Sequence, residues 1–197
     1  MDDPEPTTHT YRGLATALAA LSLVGTVASA MLLKTELAYT ANPGIEPSCN
    51  INALVGCTSS MSSSQGHLFG VPNSVLGVIG YGALTLVMLV ALLRGRLQRW
   101  MWVGVSAGAT LAMIWVVWFL YLSVTVFHTL CPYCMVIWAV TIPVFLLAIA
   151  HTLYLYDIRS SFALFLIEQR YLLIVLVYLI VAVVALVGLR DKLVLLF

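Results

Sequence analysis

The chain has 197 residues, 62% hydrophobic and 9% charged, with a mean hydropathy of +1.04 and a formal net charge of +1. No soluble domain of this length can hide so much apolar surface, so the chain reads as an all-α integral membrane protein. The near-neutral charge and the lack of basic–aromatic runs argue against nucleic acid as a partner. Phosphate-binding glycine loops, zinc-protease helix motifs and Gly-x-Ser-x-Gly elbows are absent as well.

A transmembrane helix needs roughly 20 apolar residues, and the gaps between charges delimit five. Arg12 and Lys34 bracket a first span from about Gly13 to Leu33. Between Glu46 and Arg94 the apolar part, Val75 to Leu93, is the second. The charge-free stretch from Arg99 to Asp157 holds two helices, about Trp100 to Phe127 and Cys131 to Tyr154, with His128-Thr129-Leu130 at the turn. Tyr171 to Leu189 is the fifth. Ala28-Ser29-Ala30 resembles a signal-peptidase site, but the apolar run continues through Leu33 and the leader carries Asp2, Asp3 and Glu5. An uncleaved anchor behind a cytoplasmic tail, residues 1–11, is the better reading.

Basic residues in short loops set orientation. With the N-terminus inside, Arg12, Arg94, Arg96, Arg99, Arg159 and Arg170 lie on the cytoplasmic side, against Lys34, Arg190 and Lys192 outside. Parity then places the loop after span one and the turn between spans three and four on the same, outer face. There disulfides persist.

Both carry cysteines: Cys49-x7-Cys57 in the first loop and Cys131-Pro132-Tyr133-Cys134 at the start of the fourth helix. Pro132 suits a first helical turn. Free N–H groups and the positive dipole end stabilise a thiolate there, which makes the pair reactive. Static disulfides, or a zinc ion held by all four thiols, are the competing readings; Cys-x7-Cys is an unusual spacing for zinc. Turn formers around Cys49 describe a segment able to move, as a shuttling disulfide must. The stretch from Thr58 to Gly70 is too short and polar to span, so it is expected to cap the bundle mouth. Asn73 or Ser74 then caps the second helix, or Asn73 hydrogen-bonds a ligand.

The order of Cys-x7-Cys, then Asn73-Ser74-x-x-Gly77-x3-Tyr81, then Cys-x-x-Cys heading a helix, resembles the vitamin K epoxide reductase family in its bacterial form, over roughly residues 12–155. That resemblance implies a four-helix bundle around a quinone of the menaquinone or ubiquinone type. The outer cysteine loop would occupy residues 34–74, and residues 156–197 would form a cytoplasmic connector and a fifth transmembrane helix. It implies oxidation of a secreted thioredoxin-like (DsbA-like) partner at a bacterial inner membrane. No thioredoxin-like segment follows Phe197, so that partner is expected on a separate chain. Carried over by position, the partner attacks Cys49, released Cys57 attacks Cys131, and Cys134 leaves as the thiolate that faces the quinone. Asn73 matches the asparagine that hydrogen-bonds a quinone oxygen. Trp138 stands where the animal enzymes have a tyrosine that helps bind quinone and anticoagulants, which makes it the second cofactor-binding candidate. Indole donates a hydrogen bond but accepts none, so drug contacts there do not carry over, and no epoxide reduction is inferred.

The rivals are a DsbB-type thiol oxidase, in which the order of the cysteine pairs is reversed, and a non-enzymatic membrane protein braced by two disulfides. Trp115, Trp118, Phe119 and Tyr121 read as core or interface aromatics before pocket residues, and Gly104-x3-Gly108 as a close helix contact. His128 reads as solvated before proton-shuttling, and Gly77 and Tyr81 as packing residues.

Overall fold

The computed structural model describes residues 8–42, 44, 46–52 and 54–190; expectations for residues 1–7 and for Lys192 lie outside these. Helix α1 runs Thr8–Ala41 and a single turn, α2, spans Thr58–Met61. Two 3-10 turns follow, Ser64–Gly66 and Leu68–Gly70. Then come α3 (Asn73–Arg94), α4 (Arg99–Leu122), α5 (Pro132–Leu155), α6 (Ser161–Glu168) and α7 (Arg170–Gly188). Five of these helices, α1, α3, α4, α5 and α7, are long and apolar enough to cross a membrane. Among the described residues there is no strand, only an isolated bridge between Val55 and Leu130.

Helix ends follow local chemistry. Gly95, at φ 72°, stops α3 behind Arg94 in its last turn. Cys131 holds the extended N-cap position of α5, and Pro132 follows at the first helical position. Ser160 caps α6, its hydroxyl accepting from the Ala163 N–H at 3.1 Å; the sequence reading has only a connector there. The first span is also longer than its charges suggest. Lys34 points outward, whereas Glu36 is buried and hydrogen-bonded, so neither ends the helix.

In the bundle α1 packs on α3 and on α5, α4 on α5, and α7 on the far side of α5. Small and hydroxyl-bearing residues set the α1–α3 seam. A Cβ at Gly25 would stand 2.7 Å from the Tyr81 ring, and one at Gly77 2.5 Å from Ser29 Oγ. Thr85 Oγ1 lies 2.9 Å from Ser22 Oγ. Each such interhelical bond contributes about 0.6 kcal/mol in a bilayer, so close backbone approach supplies most of the adhesion. Tyr81 also hydrogen-bonds Thr141 across to α5.

Helix α7 is held by a different device. Pro143 lacks an N–H, which leaves the Ala139 carbonyl without its helical donor. The Tyr178 hydroxyl of α7 donates to that carbonyl. At the next level, Gly188 lets α7 approach Val124 in the π turn (Ser123–Phe127) that ends α4. The fifth helix thus buttresses the turn that delivers Cys131.

The opposite end of the bundle is closed by Trp102, fully buried, with the His151 ring 4.3 Å and the Tyr11 ring 6.4 Å away, centroid to centroid.

Candidate active site

All four cysteines meet at the end of the bundle that carries the α1–α3 loop. Cys49 and Cys57 are bridged, while Cys131 and Cys134 are free thiols. All are buried, and the Cys131 and Cys57 sulfurs stand 3.5 Å apart. The loop is tied down on its Cys57 side. The Leu130 N–H donates to Leu54 O at 2.8 Å and the Gly56 N–H to Leu130 O at 3.1 Å. The Asn50 side chain accepts from the Cys57 N–H at 3.0 Å and donates to Thr58 Oγ1 at 2.8 Å. The freely moving courier expected from the turn formers is therefore anchored: these bonds satisfy its backbone against the Cys131 turn and hold Cys57 in attack range.

Cys131 lies below the ordinary thiol range. The chief cause is a hydrogen bond from the Cys134 thiol; burial opposes it, and the N–H groups of Cys134 and Tyr133 and the Ser60 hydroxyl assist. The N-cap of α5 thus favours the thiolate form of Cys131.

Behind Cys134 lies a chamber of about 90 Å³. Trp138, on the next turn of α5, is buried in its wall, and Trp115 and Phe119 reach it from α4. Phe119 is a core residue, as expected, and also forms wall here, whereas Trp115 lines the cavity; Trp118 packs partly buried against the same core, and Tyr121 is exposed. The polar stretch from Thr58 does lie across this chamber, contributing Ser60, Met61 and Gly66.

Asn73 lines the chamber too, but it does not cap α3, whose N-cap is Pro72. Its Oδ1 accepts from the Leu68 N–H at 3.1 Å and its Nδ2 donates to Gln65 O at 2.7 Å. Asn73 therefore clasps the cap segment. Ser74 does not cap either; its hydroxyl donates to Glu36 Oε2 at 2.8 Å.

A second, larger cavity of about 660 Å³ continues from the chamber between α3 and α4, sharing Asn73, Trp115, Val116 and Ile137 as walls. It exists because α3 and α4 pack on α1 and α5 rather than on each other. Gly104 and Gly108 line it with nothing within 4 Å of a built Cβ, so they open a groove instead of making the close helix contact expected of them. Tyr81 and Gly77 serve the α1–α3 seam, as expected, and also border the groove. His128 is exposed in a left-handed conformation and does not line the chamber.

Three residues escape sequence reading: Glu36, His67 and Ser29. Among the described residues Glu36 is the only charged side chain lining the chamber, and His67 Nε2 lies 3.2 Å from its Oε1. Ser29, wholly buried, has no partner for its hydroxyl. A legible signal existed, since Ser22, Ser29 and Glu36 recur every seven residues and so share one face of α1. Span reading by charge gaps discards it, because Lys34 and Glu36 look like a helix end.

A disulfide within reach of a dithiol at the head of a membrane helix defines a multi-pass membrane thiol oxidoreductase. The model of the vitamin K epoxide reductase family matches residues 16–149, and the chain belongs to that family, whose members are quinone-linked in general. No curated protein matches it.

Proposed function

We propose that the protein oxidises the dithiol of a secreted thioredoxin-like protein and passes the electron pair through two cysteine pairs to a membrane quinone. The observation that carries this reading is the 3.5 Å approach of Cys131 to Cys57, with Cys134 opening onto the chamber behind. The partner's thiolate attacks Cys49 and releases Cys57; Cys57 attacks Cys131 of an oxidised inner pair and releases Cys134. Resolution of both mixed disulfides leaves the loop bridged and the inner pair reduced, which is the state of the four cysteines here. Because the Cys57 side is anchored, the Cys49 side can open to a partner while Cys57 stays beside Cys131.

The chamber residues fit a quinone. The orphaned Ser29 hydroxyl offers a hydrogen bond to a ring oxygen, and the apolar groove between α3 and α4 suits an isoprenoid tail coming from the bilayer. Asn73 is the second candidate for contact with the head group, and Trp138 forms wall behind Cys134. A bound quinone supplies the sink for two electrons and two protons. The cap segment excludes water from Cys134, which keeps the electron pair on the path to the chamber. The excess of arginine at the Arg94–Arg99 end supports an N-in orientation in a bacterial plasma membrane, with the cysteines outside.

The test is a trap. Cys57→Ala strands any mixed disulfide at Cys49, so a covalent adduct with an exported thioredoxin-like protein is the expected product. Absence of an adduct, together with unchanged disulfide formation in exported proteins when the chain is deleted, defeats the reading.

A further inference from the structure

The chamber contains one carboxyl group that the cysteine relay does not use. Glu36 sits on a membrane-spanning helix and is 5% exposed, yet it is not isolated. Ser74 Oγ donates to its Oε2 at 2.8 Å, and His67 Nε2 stands 3.2 Å from its Oε1. His67 is over a third exposed, so the pair reaches from the cap surface to the chamber wall. The histidine's other ring nitrogen, Nδ1, lies 3.2 Å from Ser63 O. A carbonyl can only accept, so Nδ1 carries a proton, which leaves Nε2 facing the carboxyl group, where the two groups can share a further proton. The titratable groups facing Glu36 are His67 from the cap and Cys134 from α5; α3 contributes the Ser74 hydroxyl.

From this geometry we propose that Glu36 is the proton donor of the chamber and that His67 reloads it from the outer face. The inference rests on the quinone reading above. The proton count explains why a donor is needed. Closing the Cys131–Cys134 bridge releases two electrons and two protons, but Cys131 stands beside Cys57 and does not line the chamber, so only the Cys134 proton is released there. Reduction of a quinone to a hydroquinone consumes two electrons and two protons. The missing proton comes from the Glu36 carboxyl, whose carboxylate takes one from the His67 imidazolium, which takes one from outer water. The proton that Cys131 gives up at the outer face is thus returned inside, and the reaction needs no proton from the cytoplasm. Glu36, which lines the chamber, is the catalytic residue of this path, and His67 acts through it.

The test uses the purified full chain in detergent with dithiothreitol as donor and a short-chain ubiquinone analogue as acceptor. His67→Ala is expected to slow quinone reduction about tenfold, with added imidazole restoring most of the rate and the loss greatest at high pH. Glu36→Gln is expected to slow it about a hundredfold, within the range for a removed general acid, without imidazole rescue. Reduction of the loop disulfide in quinone-free His67→Ala, followed by thiol titration, is expected to stay within about twofold of wild type. Quinone reduction at the wild-type rate in both variants overturns the proposal. So does an equal slowing of the quinone-free thiol step, which would assign His67 to the cysteine relay. Failure of the wild type itself to reduce any quinone instead overturns the quinone reading, and the relay with it.

Discussion

Replacing Asn73 with Ala separates two roles for this side chain, clasp and ligand contact. The substitution removes the acceptor for the Leu68 N–H and the donor to Gln65 O, at 3.1 and 2.7 Å. Each bond is part-buried, and a typical net contribution is about 1 kcal/mol. Loss of both lowers the free energy of opening the cap by about 2 kcal/mol, or about 30-fold in the open population. Hydrogen exchange across residues 64–70 is the direct assay, and it is expected to accelerate by about that factor while α1, α3 and α5 stay protected. Labelling of Cys134 by a polar maleimide should rise in parallel, because the same segment covers the chamber. Unchanged exchange in that segment, with a fall in quinone affinity alone, would refute the clasp and leave Asn73 as a ligand group only.

Four further outcomes follow from the packing and the thiol chemistry. Gly77→Ala drives a Cβ to 2.5 Å from Ser29 Oγ and is expected to cost about 1–3 kcal/mol, read as a lower thermal midpoint in detergent. At Gly108 a Cβ has nothing within 4 Å and faces the groove, so with Gly108→Leu the midpoint is expected to hold or rise while apparent affinity falls for long-tailed quinones and not for tailless ones. For Cys131, whose thiolate is favoured, the alkylation rate in a Cys49→Ala/Cys57→Ala background is expected to reach half its maximum at a pH below that of a free cysteine. Cys134→Ala removes the largest cause and moves that midpoint upward. Tyr178→Phe leaves the Ala139 carbonyl without a donor inside the membrane, a loss of about 1–3 kcal/mol. Proteolysis at the α6–α7 junction should then accelerate before the four-helix bundle melts.

The anchored loop changes how the relay is understood. A mobile arm would have to find Cys131 on each cycle. Here the Leu54–Leu130 and Gly56–Leu130 bonds hold Cys57 in place beside Cys131. The buttress from α7 acts on the same region, because Gly188 seats that helix against the π turn leading to Cys131.

Much of this was written in one dimension. Long apolar runs between charges fix helices in any bilayer, since every backbone N–H and C=O must be paired within the segment. Span parity then puts both cysteine loops on one face. Pro132 after Cys131 fixes a helix start, and so puts Cys131 at its N-cap. These are local or counting properties, and a sequence carries them in full. The roles of Asn73, Glu36, His67, Ser29 and Gly108 are not of that kind. Asn73 has the chemistry of a cap and becomes a clasp only because the Gln65–Leu68 backbone folds over it. Gly108 has the spacing of a helix contact and opens a groove only because α4 packs on α5 instead of α3. Glu36 looks like a span boundary until Ser74 and His67, 38 and 31 positions away in the sequence, arrive to share its charge. Which neighbour satisfies a polar group depends on contacts between distant segments, and those are decided only when the helices pack.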